Sequence, residues 1–493
     1  MEKEPYCIYP AALAAEYREK GGGTVVFSSL LFLFAYLPIT LLCYYAVPRK
    51  WRNLVLFAVS LLFYGWGEPV YILLMMFSIT SAYFFGFFIE RYRTSAPKKA
   101  KWMMILSVAV SLALLFFFKY YNFFAENLSR LPLIEIPRIE ALKLPIGISF
   151  YTFQIISYTV DLYRRDCELQ RNYITFGTYV TLFPQLIAGP IVRYRDVDEQ
   201  LRERKESVSD FAAGVARLTV GLCKKILVGD LLAAGSEYFR HLAVLENTAL
   251  GAWMTIILYT LHLYYDFSGY SDMAIGLGRM LGFRFPENFN YPYIAKSITE
   301  FWRRWHISLS TWFREYVYIP LGGNRRGSAR QYLNLAVVWL LTGFWHGASW
   351  NFVLWGIYFL VILIIEKAFL LKALDKTPAA LRHIYAMLLV TLGFLIFSYP
   401  DLTTAKDCFL SLFGVGCVGA TSAVATYEVL RILPLILLAA IGATPIPKKF
   451  FAALREKWKP AELFVPLLTA AGLLLCVAYL VDSTFSPFAY LNF

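Results

Sequence analysis

Runs of about 20 mainly apolar residues, the length at which a helix crosses a bilayer core, recur along this chain. They lie at 25 to 48, 69 to 89, 102 to 122, 144 to 163, 249 to 270, 348 to 371, 384 to 400, 427 to 446 and 462 to 482. Shorter runs at 53 to 66 and 331 to 346 add candidate crossings. The expected fold class is therefore an all-α polytopic membrane protein, with roughly 10–12 transmembrane helices by this length rule. Composition agrees: 58% of residues are hydrophobic and 16% charged, against roughly 25% charged in soluble domains. The 34 Tyr and 12 Trp suit membrane–water interfaces, where one end of the ring is apolar and the other wet. Disordered and ordinary cytosolic proteins are excluded.

The net charge of +13 would suggest nucleic acid in a soluble chain. Here the basic residues sit between apolar runs, as at Arg49, Lys50 and Arg52 and at Arg91 to Lys101, so they read as loops retained on the cytoplasmic side. The partner they imply is the lipid bilayer, not nucleic acid. Arg164 with Arg165, Arg325 with Arg326, Arg330, and Lys448 to Lys459 fall on the same side, whereas 125 to 143 and 401 to 426 are sparse or balanced in charge and fit the outside. Two segments break the pattern. One, 173 to 192, contains Pro184, Gly189 and Pro190 and reads as re-entrant; broken backbone at membrane depth needs protein or a water-filled cavity over it, which implies a central cavity. The other, 211 to 235, carries Arg217, Lys224, Lys225 and Asp230. The segment 283 to 330 is too long and elaborate for a connector. Residues 1–24 read as a polar N-terminal extension, and 25–493 as one membrane domain without internal repeats. The seven cysteines have no CxxC and no metal-ligand spacing, so neither a disulfide framework nor a metal site is expected.

Five histidines make each one testable. His241 and His383, beside Arg240 and Arg382, read as ordinary surface groups. Ser297 to Tyr318 (SITEFWRRWHISLSTWFREYVY) reads as one amphipathic helix, with Phe301, Trp302, Trp305, Leu309, Phe313 and Tyr316 on one arc and Arg303, Ser310, Arg314 and Glu315 on the other. His306 falls on the seam, so the helix is either a cavity wall with a site or a membrane-surface anchor. In QYLNLAVVWLLTGFWHGASWNFVLW, His346 closes an apolar run on the same helical face as Thr342 and Trp339, with Gly343 and Gly347 leaving room for a backbone or substrate. An ionisable side chain there is a functional hypothesis, with an interhelical polar contact as the alternative. In LYTLHLYYDFSGYSDMAIGLG, His262 and Asp266 share a face four residues apart. Tyr270 continues that face and Asp272 lies off it, a row that suits substrate binding, proton relay or a purely structural network. No nucleophile elbow or P-loop is present, and the Gly322–Gly323 pair in YIPLGGNRRG reads as a turn.

Several of these stretches, taken together, resemble the membrane-bound O-acyltransferase superfamily, in its bacterial polymer-modifying branch. They are VVFSSLLFLFAYLPI, LPIGISFYTFQIISYTVDLYR, FPQLIAGPIVRY, YYDFSGYSDMAIGLGRMLGF, FWRRWHISLSTWFREYVYIPLGGNR and GFWHGASWNFVLWG. The core of the resemblance spans 144–356. It implies an MBOAT-type bundle in which His346, in the WHG motif with Trp345, and His306, in the WHISLS motif, are the catalytic histidines. Sixteen residues beyond Arg330 at about 1.5 Å each raise His346 roughly 24 Å, toward the outer leaflet, while His306 stays on the inner side; an hourglass cavity would have to unite them.

The implied chemistry is hydroxyl acylation. Acetyl-CoA or another acyl thioester, on CoA or a carrier protein, enters from the cytoplasm as a donor substrate rather than a bound cofactor. The acceptor is an exported or cell-envelope polysaccharide, reached with an extracytoplasmic SGNH-type acetyltransferase partner, and the setting is the bacterial cytoplasmic membrane. His346 is expected to be the general base. His306 would orient the acyl carbonyl as a donor to the developing oxyanion. His262, Asp266, Tyr270, Asp272, Arg303, Arg304 and Trp345 are expected to bind substrate or support the histidines. Two other readings stand beside this one: a D-alanyl transfer protein of teichoic acid synthesis, and a proton-coupled transporter or flippase relaying protons through His262, Asp266, Asp272 and His346.

Overall fold

A computed structural model of the chain describes residues 26–131, 135–187 and 189–482; the polar stretch 1–24 lies outside the described residues. Regular structure among them is helical, apart from one isolated bridge between Thr248 and Gly419. The elements that matter below are α1 (Phe32–Ala46), α2 (Arg52–Gly67), α3 (Ile72–Ser95), α4 (Pro97–Leu128), α5 (Ile148–Arg164) and α6 (Tyr173–Thr181). There follow α7 (Val208–Leu222), α8 (Asp230–Leu245), α9 (Ala249–Met280), α10 (Ile298–Arg304), α11 (Ile307–Phe313) and α12 (Ser328–His346). The last are α13 (Trp350–Ile365), α14 (Ala379–Ser398), α15 (Ala423–Gly442) and α16 (Phe464–Asp482).

Helix starts follow local chemistry. Asn172, Ser207, Thr248, Ser297 and Ser422 each accept a backbone N–H of the first turn of α6, α7, α9, α10 and α15, contacts worth about 1 kcal/mol each. Pro97 opens α4, where its missing N–H costs nothing.

Six stretches are long and apolar enough to cross a membrane by length and composition: α3, α4, Trp350–Leu374, α14, α15 and Pro460–Val481. Most of these are open to their surroundings; the apolar window of Pro460–Val481 is only 6% buried, so its surface is one that lipid covers. Helices α5 and α9 are the opposite. Almost every residue of α5 from Ile148 to Leu162 and of α9 from His262 to Gly278 is buried. They carry Gln154, Asp161, Asp266 and Asp272, which is tolerable because protein, not hydrocarbon, surrounds them. The chain is thus an all-α, multi-pass membrane protein with an apolar rim around a polar centre.

The two irregular segments are built into that centre. In 173 to 192 the backbone breaks after Thr181 and makes a short turn at Phe183–Leu186 led by Pro184, and Gly189 to Val192 are buried. Its polar groups are met by protein: Gln185 Nε2 donates to the Tyr179 carbonyl at 2.6 Å, the Tyr179 hydroxyl to the Val192 carbonyl at 3.0 Å, and Phe183 N–H to Ser60 Oγ at 3.1 Å. In 211 to 235 a π turn, Cys223–Gly229, joins α7 to α8. The adjacent Lys224 and Lys225 reach different carboxylates of α9, Asp272 at 2.7 Å and Asp266 at 2.9 Å. Cys43, Cys167, Cys223, Cys408, Cys417 and Cys476 are free thiols.

Helices α12 and α13 form an antiparallel hairpin held by close backbone approach. A Cβ on Gly343 would lie 2.5 Å from the Phe352 carbonyl oxygen, and one on Gly356 would lie 2.6 Å from that of Trp339. Gly343→Val is therefore expected to force the helices apart and destabilise the protein by about 1–3 kcal/mol. Thermal unfolding in detergent, read by intrinsic fluorescence, checks this; an unchanged midpoint would contradict the close packing.

Candidate active site

Helix α12 ends at His346, where Gly347 turns the chain toward α13. The last carbonyls of a helix have no partner within it and attract positive charge. Helix α4 supplies the missing partners. Lys119 Nζ donates to the Trp345 carbonyl at 2.5 Å and approaches Ser149 Oγ at 3.4 Å, and the Tyr120 hydroxyl donates to the Phe344 carbonyl at 2.7 Å. His346, 5% exposed, is boxed by aromatic rings. Its centroid lies 5.0 Å from Trp345, 4.9 Å from Trp355 and 5.2 Å from Phe397, all edge-on.

His306 arrives by a different route, and here the expected single helix over Ser297 to Tyr318 is overturned. The segment is α10, a break at Trp305 and His306, α11, and a π turn over Arg314–Tyr318. His306 sits at the break with φ 45°, in the left-handed region, a conformation costing a β-carbon residue on the order of 1–3 kcal/mol. Asn288, fully buried in the preceding loop, holds it there. The Asn288 carbonyl accepts Ile307 N–H at 2.9 Å; its side-chain Oδ1 accepts Ser308 N–H at 3.2 Å and Ser308 Oγ at 2.8 Å. The same Oδ1 lies 3.1 Å from His306 Nδ1. These bonds cap α11 from outside and bury His306 to 2% exposure. The apolar arc survives as packing, with Phe301, Trp305, Leu309 and Phe313 all buried.

The two histidines meet on one indole. The Trp345 ring is 5.8 Å from His306 and 5.0 Å from His346. Trp345 also stacks on Phe153 at 5.8 Å, and Phe153 lies flat on Trp312 at 3.7 Å. Phe267 closes the far side of His306 at 4.7 Å. Burial pushes the His306 imidazole down to about 3, leaving it neutral at ordinary pH.

The other expected site residues go elsewhere. The row on α9 divides: His262 Nδ1 lies 2.9 Å from the Gly229 carbonyl, and Asp266 pairs with Lys225 at 2.9 Å. Tyr270 stacks on Phe27 at 4.7 Å, and Asp272 pairs with Arg217 at 2.5 Å as well as Lys224. From α9, Phe267 contacts His306 directly and Ser271 reaches it through Asn288 Nδ2 at 3.1 Å. Arg303 is exposed, and Arg304 pairs with Glu300 at 2.9 Å. His241 is exposed beside Glu237, and His383 lies 3.1 Å from the Ala295 carbonyl. Gly322 and Gly323 have positive φ, as a turn requires.

Sequence reasoning missed Lys119 and Asn288. Lys119 had a signal, a lone cation within the apolar FFFKYY run. Asn288 had none, being uncharged and at no recognisable spacing from His306. Among the described residues no group of three or more His, Cys, Asp or Glu is placed to hold a metal ion.

With this geometry in view, similarity to known proteins can be placed. The sequence model of the membrane-bound O-acyltransferase family matches residues 149–404, a span that contains Asn288, His306, Trp345 and His346. A probable alginate O-acetylase of Azotobacter vinelandii is 44% identical over 395 residues, covering 80% of this chain and 79% of that protein. A peptidoglycan O-acetyltransferase of Helicobacter pylori is 34% identical over 80% of this chain and 81% of that protein. A teichoic acid D-alanyltransferase of Bacillus subtilis is 31% identical over 44% of this chain and 58% of that protein.

Proposed function

The chain belongs to the membrane-bound O-acyltransferase family, and from that premise we propose that it moves an acetyl group from a thioester to hydroxyls of an exported or cell-envelope polysaccharide. The observation that carries this reading is the convergence of His306 and His346, from separate elements, on the Trp345 indole. The names of the relatives aligned over four-fifths of the chain support the acetyl group and the polymer acceptor. The donor is acetyl-CoA presented from the cytoplasm, the location is the bacterial cytoplasmic membrane, and an extracytoplasmic SGNH-type partner completes delivery to the polymer.

In this scheme His346 takes the proton of the attacking hydroxyl, since a neutral imidazole is the side chain suited to that task near neutral pH. As the hydroxyl oxygen bonds to the acyl carbon, the carbon–sulfur bond breaks and the proton passes on to the departing sulfur. Atoms and charge balance within the site. Trp345 and Phe153 form an aromatic wall beside the reacting centre, and Lys119 holds the Trp345 carbonyl in place. Asp266 and Asp272 support this arrangement from outside, as members of ion pairs that hold α9 to the π turn.

The test uses the purified protein in detergent with acetyl-CoA and a uronate or peptidoglycan oligosaccharide, following release of free thiol. Acceptor-dependent thiol release is expected. Discharge of a D-alanyl-loaded carrier protein in place of acetyl-CoA would overturn the acetyl reading. Absence of any thioester consumption, with pH-driven solute movement in liposomes, would replace it by transport.

A further inference from the structure

The contacts of Asn288 decide which nitrogen of His306 carries the proton. The tautomer of a buried imidazole is set by the partners of its two nitrogens. The amide of Asn288 has only one orientation open to it. Ser308 N–H, which can only donate, points at Oδ1 from 3.2 Å, and Nδ2 lies 3.1 Å from Ser271 Oγ. Ser308 Oγ takes Ile191 N–H at 3.0 Å and turns its own hydrogen to Oδ1 at 2.8 Å. Oδ1 is therefore an acceptor, and His306 Nδ1, 3.1 Å away, must bring the hydrogen. In a neutral imidazole that leaves Nε2 with a bare lone pair.

We infer that Asn288 is a positioning residue that fixes His306 in the Nδ1–H tautomer, so that His306 enters the reaction through Nε2 as an acceptor for the N–H of His346. This rests on the acyl-transfer reading above, and it reverses the donor role that the sequence suggested for His306. His346 shares the Trp345 indole with His306. An N–H of His346 directed to the His306 lone pair keeps the other nitrogen of His346 bare for the hydroxyl proton. The row Asn288–His306–His346 then orients the base much as the buried carboxylate orients histidine in a serine hydrolase triad, with an amide in the terminal place. An amide cannot ionise, which suits a terminus that is fully buried beside Ser271 and Ser308. The strained backbone at His306 fits the same account, because the αL conformation delivers Nδ1 and the Ser308 N–H to one oxygen.

The groups around His306 bear on how it titrates. From α12 it meets Trp345, whose ring also contacts His346 and whose carbonyl accepts from Lys119 of α4. From α9 it meets Phe267, the carboxylates of Asp266 and Asp272 being engaged by Lys225 and by Arg217 and Lys224. In its own loop Glu287 pairs with Arg217 at 2.7 Å. A carboxylate placed at 288 would thus be the one anion bonded to His306 Nδ1, and it would favour imidazolium.

The tautomer is read directly by nitrogen-15 NMR of the histidine-labelled full chain, where only five rings contribute and His306→Ala identifies the relevant signals. Protonated Nδ1 with bare Nε2 is expected; protonated Nε2 overturns the inference whatever the activity. In the thiol-release assay, Asn288→Ala should lower kcat roughly 10- to 100-fold, as for orienting partners of metal-bound histidines, with little change in the KM for acetyl-CoA. Asn288→Asp should restore much of the turnover while moving the acid limb of the pH profile upward, since imidazolium at 306 has no lone pair to offer. Ser308→Ala, which leaves the Asn288–His306 bond intact, should stay near wild type. Equal losses in Asn288→Ala and Ser308→Ala, or an unmoved acid limb in Asn288→Asp, would make the role of Asn288 merely structural. Wild-type thiol release in the same assay separately tests the acyl-transfer reading.

Discussion

His346→Ala is expected to lower acceptor-dependent thiol release by roughly 10²–10⁴-fold, the usual contribution of a positioned general base, in a protein that still elutes as a folded particle in detergent. The expectation rests on what the imidazole does and on what holds it. Its box of Trp345, Trp355 and Phe397 packs through ring edges, and the end of α12 is secured by Lys119 and Tyr120 through the carbonyls of Trp345 and Phe344. The carbonyl bonds do not involve the imidazole, and Trp355 and Phe397 also pack on each other at 5.5 Å. Removing it leaves a small cavity but no orphaned charge, so the loss should appear in turnover far more than in stability. His346→Gln keeps most of the volume and an amide in the box yet supplies no base, and it should be as inactive as the alanine variant. Turnover within tenfold of wild type in both variants, with normal folding, would remove His346 from the chemistry.

The residues that were legible beforehand share one property: their signal is local. Apolar runs forecast α3, α4, α14 and α15 because lipid imposes a length and a composition on each helix separately. His346 stood out for the same reason, as an ionisable group ending an apolar run. Ser297 to Tyr318 misled because its 3.6-residue period is real but the break at His306 is enforced from the Asn288 loop, and a distant cap leaves no mark in the helix sequence. The row His262, Asp266 and Tyr270 lies along α9, where its members take separate partners. Two of its members bind the backbone and lysine of the neighbouring π turn, while the histidine site is reached by Phe267 and Ser271, four apart on another face of α9. A hydrophobic ring and a hydroxyl carry no chemical signal of their own. Lys119 could have been found by the rule that marked His346, since a cation amid phenylalanines at membrane depth needs a partner; what sequence could not supply was that the partner is the carbonyl of Trp345.

Lys225→Met should be strongly destabilising. Lys225 is 1% exposed and joins Asp266, itself fully buried, at 2.9 Å and Asp230 at 2.6 Å. Taking one charge out of a buried pair leaves the other uncompensated in a low-dielectric interior, at a cost of about 3–5 kcal/mol, which is a large share of the stability of most folded domains. Loss of folded material, or a steep fall in the detergent unfolding midpoint, is the expected result. The double variant Lys225→Met with Asp266→Leu removes both members, and replacing a buried pair by apolar side chains is often close to neutral; Asp230, partly open to solvent at 24% side-chain exposure, can be hydrated. Much of the midpoint should therefore return. Thiol release then separates two views of Asp266. If this carboxylate only anchors the π turn to α9, the refolded double variant transfers acyl groups at a rate near wild type. If it relays protons to His346, the double variant folds but does not turn over, and the ion pair would have to be counted as part of the reaction path rather than its support.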